Sequence, residues 1–69
     1  MRYAVLIEKG PTSYGASVPD LPGCVAVNET RPELEKLIQE AIEFHLEGMR
    51  ENGEPIPEPA TDFTYADVA

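Results

Sequence analysis

The chain has 69 residues, room for one domain spanning 1–69, and at that length only about 60% of the unfolded chain's surface leaves water on folding. Thirteen acidic residues against five basic ones give a net charge of −8, a field that repels phosphates, so direct nucleic-acid binding is not expected and a basic protein is the favoured partner. The single cysteine, Cys24, excludes an internal disulfide and a one-chain thiolate metal cluster, while no apolar run approaches eighteen residues and no cleavable leader opens the chain, which points to a cytoplasmic protein.

Tyr3 to Glu8 is β-branched and aromatic, too short for a helix and bounded by Lys9-Gly10-Pro11, so it reads as a strand with Tyr3, Val5 and Ile7 on one face. After the polar turn at Thr12 and Ser13, Tyr14 to Val18 runs back with Tyr14, Ala16 and Val18 on one side, and a hairpin is the economical pairing. Pro19-Asp-Leu-Pro-Gly23 cannot continue a ladder, since two of its residues lack amides and glycine closes the turn. Cys24 to Val27 is a third short strand, with the cysteine expected as a small buried hydrophobe.

Thr30 followed by Glu33 predicts a capping box, and Pro32 fits a first helical turn because the amide it lacks would have no partner there. A helix is predicted from about Pro32 to Asn52. Its apolar stripe is Leu34, Leu37, Ile38, Ala41, Ile42, His45 and Met49, with Lys36, Glu40, Glu43, Glu47, Arg50 and Glu51 opposite. Gly53 supplies the left-handed stop and Pro55 forbids a restart. Beyond it, Glu54 to Pro59 carries proline at every second position and favours an extended polyproline segment. Asp62 to Val68 alternates weakly, with Phe63 and Tyr65 on one side, and is expected to form a last strand.

The order βββαβ predicts an α+β two-layer domain, one antiparallel sheet crossed by one helix. A single helix covers one face, so Tyr3, Val5 and Ile7 should meet it while Ala4, Leu6, Val25 and Val27 are left on a second face. A homodimer that covers that face is expected, with Phe63 and Tyr65 as candidate contacts.

Three segments carry a resemblance: Pro19-Asp-Leu-Pro-Gly-Cys24 after a two-strand opening, Ala41-Ile-Glu-Phe-His-Leu-Glu-Gly48 in the helix, and Gly53-Glu-Pro-Ile-Pro-Glu-Pro59 beyond it. In this order and spacing they resemble the HicB family of antitoxins. The resemblance implies a partial ribonuclease H-like fold of three strands, a helix and a further strand. It also implies a role as the inhibitory partner of a small basic HicA toxin that cleaves messenger RNA. Members of that family often carry a C-terminal helix-turn-helix or ribbon-helix-helix domain that binds operator DNA; with the sequence closing at Ala69, this chain is not expected to bind operator DNA by itself.

Chemistry of its own is not expected. His45 sits near the centre of the apolar stripe and reads as a buried core histidine, with no second histidine and no placed serine to make a nucleophile. Glu8, Asp20, Glu40, Glu43 and Glu47 are too scattered to converge on metal ions, so no cofactor or metal is assigned. The helix acids read as a solvated face. Partner contact is assigned to the two proline-stiffened stretches, through Asp20, Leu21 and Pro22 and through Glu54, Ile56 and Pro57, because preorganised segments lose little entropy on binding. The competing readings are an orphan structural homodimer and a minimal metal-dependent nuclease using Glu8, Asp20 and helix carboxylates.

Overall fold

The structure is a computed structural model describing all residues, Met1–Ala69. Three strands, β1 (Leu6–Lys9), β2 (Tyr14–Ser17) and β3 (Val25–Asn28), precede one helix, α1 (Arg31–Glu51). The sheet is antiparallel in the order β1-β2-β3, so β2 is central and both β1 and β3 have a free edge.

Pairing follows the side-chain alternation. Ile7, Ala16 and Ala26 lie in register across the three strands and turn toward the helix, together with Tyr14 one step along β2. The hairpin between β1 and β2 closes with the Gly10 amide donating to the Ser13 carbonyl at 2.7 Å. Between β2 and β3 the proline-rich loop makes its own ladder: the Leu21 amide donates to the Val18 carbonyl and the Cys24 amide to the Leu21 carbonyl, both at 3.0 Å, with Gly23 at φ 86°. That geometry turns Leu21 inward, where it is 0% exposed.

The helix begins one residue earlier than expected and its start is held differently. Thr30 has extended backbone and its side chain makes no capping hydrogen bond, so the capping box does not form. The entry is shaped instead by Asn28, whose Oδ1 accepts from the amides of Glu29 at 2.7 Å and Thr30 at 3.4 Å. The stop is the expected one. The Gly53 amide donates to the Arg50 carbonyl at 3.1 Å and the Glu54 amide to the Met49 carbonyl at 2.9 Å, a Schellman pair that needs the positive φ of Gly53, 70°.

Seven residues form the buried core: Ala16, Val18, Leu21, Cys24, Leu34, Ile38 and Leu46. Tyr3, Val5, Ile7, Ala41, Ile42, Met49 and Ile56 pack around it half-buried. Leu46 was not assigned to the apolar stripe, yet it is buried, and Leu37, which was, is exposed. The reason is the placement of the helix, which packs on β2 and β3 and makes no close approach to β1. Leu6, Val25 and Val27 stay exposed on the face turned away from it, as the one-helix architecture requires.

The expected last strand is absent. Residues 54–69 contain no strand, and Asp62 to Val68 is exposed and unpaired with the sheet; within it the rings of Phe63 and Tyr65 make a local edge-to-face contact, 5.7 Å between ring centres. Weak alternation in a segment with two acids and no β-branched residue except Thr64 and Val68 does not by itself outcompete solvation. The architecture is therefore α+β with three antiparallel strands and one helix, followed by an extended tail.

Candidate partner interface

The first proline-stiffened stretch holds the chain just beyond the second. Asp20 ties the tail down: its Oδ2 accepts from the amides of Ala60 and Thr61, each at 3.0 Å, and its Oδ1 accepts from the Thr61 hydroxyl at 2.8 Å. Upstream, the Tyr3 hydroxyl donates to the Pro57 carbonyl at 2.5 Å, and Ile56 packs against the core. Of the six residues expected to contact a partner, four thus serve the fold in this chain: Asp20 and Leu21 anchor the loop, while Ile56 and Pro57 seat the tail. Pro22 and Glu54 remain exposed.

The backbone amide and hydroxyl of Thr61, then the Ala60 amide, hold the Asp20 carboxyl below its ordinary value of 3.8. A lowered carboxylate contributes to stability at pH above the unfolded value, and the contribution is lost as pH falls through the folded one. Tail attachment is therefore expected to weaken below about pH 3.8, and Asp20→Ala should reproduce the effect at neutral pH. Hydrogen exchange of the Ala60 and Thr61 amides measures it; continued protection in the variant would show that another contact holds the segment.

Pro22 and Glu54 lie on one open groove of about 640 Å3 between the proline-rich loop and the second half of α1. Its loop wall is Pro22, Gly23, Cys24 and Val25, and its helix wall is Ala41, Phe44, His45, Gly48 and Met49. Two of these were not expected there. His45, predicted to lie in the core, is half-buried on the groove wall and takes no part in the side-chain hydrogen bonds. The groove opens between the proline-rich loop and this part of the helix, so a residue in correct phase still meets open space.

Phe44 stands at the lip with 79% of its surface exposed. Along the helix surface its neighbours at i−4 and i+3 are Glu40 and Glu47, and Glu51 lies a further turn on. The combination is an apolar ring within an acidic surround. Its signal was present in the sequence as a phenylalanine lying about 80° away from Leu34 on the helical wheel, outside the apolar stripe. Below it Cys24 is buried, and loss of solvation pushes its thiol up from the ordinary value, so this floor is apolar and not a reactive thiolate.

The carboxylates considered for metal chemistry are apart. Glu8 flanks Leu6 and Val27 on the helix-free face, Asp20 is engaged by residues 60 and 61, and no three His, Cys, Asp or Glu side chains are grouped to hold an ion. No helix is long and apolar enough to cross a membrane.

Comparison with known proteins bears on the family and the fold. Residues 3–66 match the family described as HicB_like antitoxin of bacterial toxin-antitoxin system. The chain is 46% identical over 57 residues to an uncharacterized 14.9 kDa protein of Haemophilus phage HP1, covering 83% of this chain and 43% of that protein, so it spans under half the length of the phage relative. It is 38% identical over 58 residues to a UPF0150 protein of Thermoplasma acidophilum, covering 83% of this chain and 84% of the relative. A UPF0150 protein of Archaeoglobus fulgidus is 42% identical over 48 residues, covering 68% and 70%. Among solved structures, a chain of the HicA3 and HicB3 toxin-antitoxin complex superposes with a TM-score of 0.74 at 30% identity, over 87% of this chain and 70% of that one. With a family match across nearly its whole length and a sheet and helix that superpose on a toxin-antitoxin complex, the chain belongs to the HicB-like antitoxin family.

Proposed function

We propose that this protein is the non-enzymatic inhibitor of a small basic ribonuclease toxin of the HicA type, which it silences by covering the toxin's RNA-binding face. The observation that carries this reading is Phe44, an exposed aromatic anchor bordered by Glu40, Glu47 and Glu51 at the lip of an apolar groove. A toxin that grips RNA must present cations to phosphates, and the same cations fit the acidic surround. The ring supplies the desolvated contact that a purely ionic surface lacks; aromatic anchors surrounded by polar groups dominate the binding energy of most protein interfaces.

Occlusion needs no chemistry from the antitoxin. The net charge of −8 would speed encounter with a cationic partner and make the association weaken as salt rises, because screening shortens to about 8 Å at physiological ionic strength. The same field disfavours direct nucleic-acid binding by this domain.

The test is to look for a small basic reading frame adjacent to this one and to co-express the two; the absence of any such frame would favour the orphan homodimer. Growth arrest by that frame alone and rescue by this chain are expected, with the purified pair dissociating more readily in high salt. Rescue that fails against a toxic neighbour would end the antitoxin reading. RNA cleavage by this chain alone, dependent on a divalent metal and lost on replacing Asp20 or Glu8, would favour the nuclease.

A further inference from the structure

A second groove flanks the helix on its other side. Because α1 lies over β2 and β3, the helix-side face of β1 is left partly open, and Val5, Ile7 and Ile42 floor a channel of about 680 Å3 there. All three arginines of the chain, Arg2, Arg31 and Arg50, line it. Arg31 is paired with Glu35 at 3.5 Å, whereas Arg2 and Arg50 have no carboxylate within salt-bridge distance; Glu43 is the other acid on the wall. In a chain of net charge −8 this is a locally positive, apolar-floored surface, unsuited to a cationic toxin and suited to an acidic, aromatic segment.

The chain contains such a segment. Nothing after Arg50 is basic, and the tail Asp62-Phe-Thr-Tyr-Ala-Asp-Val68 sets Phe63 and Tyr65 on one side between Asp62 and Asp67. Phe63 is 58% and Tyr65 89% exposed, and no residue from 62 onward lines the channel of its own chain. Arg31 and Arg50 are nineteen positions apart on one helix, which at 1.5 Å per residue makes the channel about 28 Å long, and seven extended residues at about 3.3 Å each reach roughly 23 Å, so the segment fits within its length. The outer edge of β1 is also unpaired, so its amides and carbonyls are free to take an added strand.

We propose that two copies of this chain dimerise by exchanging tails, residues 62–68 of each lying in the β1–α1 channel of the other. Phe63 and Tyr65 cover Val5, Ile7 and Ile42, and Asp62 and Asp67 approach the unpaired Arg2 and Arg50. The two-fold exchange closes on itself and covers both the exposed aromatics and the open side of β1, an edge liability in a domain with so small a core. The Asp20 tie to Ala60 and Thr61 fixes the point from which each tail departs.

Sedimentation equilibrium on the full chain and three variants tests this. The wild type is expected to be a dimer at tens of micromolar, while a chain ending at Thr61, the R2E/R50E double variant and the D62R/D67R double variant should each be monomeric or at least about ten-fold weaker in dimerisation, with unchanged circular dichroism. An equimolar mixture of R2E/R50E and D62R/D67R should recover the dimer, because the reversed tail meets the reversed channel while the native tail meets the native one. A monomeric wild type, whether its tail lies free or folds back into its own channel, overturns the proposal. So does a dimer that survives loss of residues 62–69, or a mixture that stays monomeric. Should either double variant fail to fold, the chain ending at Thr61 decides by itself, since no helix or strand lies beyond that residue.

Discussion

Replacing Leu34 with alanine is expected to leave the chain largely unfolded at growth temperature. Leu34 is 0% exposed, one of only two fully buried large side chains, the other being Leu21, and it belongs to a core of seven residues. Truncating a buried leucine costs about 2–5 kcal/mol, part from lost transfer of apolar surface and part from the cavity left behind. At roughly 0.05–0.15 kcal/mol per residue, a domain of this length has about 3–10 kcal/mol in all. The truncation therefore removes a large share of the total. Each kcal/mol shifts the melting temperature of a domain this small by about 4–8 °C, so thermal denaturation should show a fall of at least about 8 °C. Leu21→Ala should behave alike, and would also loosen the loop that presents Pro22 and Asp20. Lys36→Ala, on the solvent face of the same helix, should stay within about 0.5 kcal/mol of the parent. Equal effects at Leu34 and Lys36 would mean that the helix does not pack as described.

Phe44→Ala should do the reverse, sparing the fold and damaging toxin binding. With 79% of its surface in water the ring contributes little to folding, and the melting temperature should hardly move. If Phe44 is the anchor of the interface, its loss should cost about 2 kcal/mol or more of binding, roughly a 30-fold weaker complex, read by titration calorimetry against the purified toxin. Charge reversal at its neighbours, Glu40→Lys and Glu47→Lys, should chiefly slow association and flatten its salt dependence, since rim charges act on encounter more than on the docked state. A wild-type affinity in Phe44→Ala would move the interface elsewhere on the acidic surface.

Much of the fold was legible because it is local. The strands and the helix are bounded by glycine and proline, whose backbone restrictions act wherever the chain goes, and the stop at Asn52 and Gly53 appears in the structure as read. The capping box was misread for a complementary reason: Thr30 and Glu33 satisfy a pattern, but Asn28 two residues earlier offers a competing acceptor, and local sequence does not say which side chain wins. The segment Asp62 to Val68 shows the limit of alternation, which marks a strand only where a sheet edge is in reach.

What the sequence determined by itself was the element order through the helix, the sign of the charge and, through the resemblance of three segments, the family. The first two follow from periodicity, turn chemistry and composition, all properties of near neighbours or of sums. Only the tertiary structure decided where the helix sits across the sheet, and most of the surface chemistry follows from that placement. Set over β2 and β3, the helix leaves His45 on a groove wall, lifts Phe44 to a lip beside Glu40 and Glu47, and opens the channel above Val5 and Ile7. Helical phase fixes the angle of a side chain about its own axis, but burial depends on what lies along that direction. Arg2, Arg31 and Arg50 are far apart in sequence and meet on one channel for the same reason.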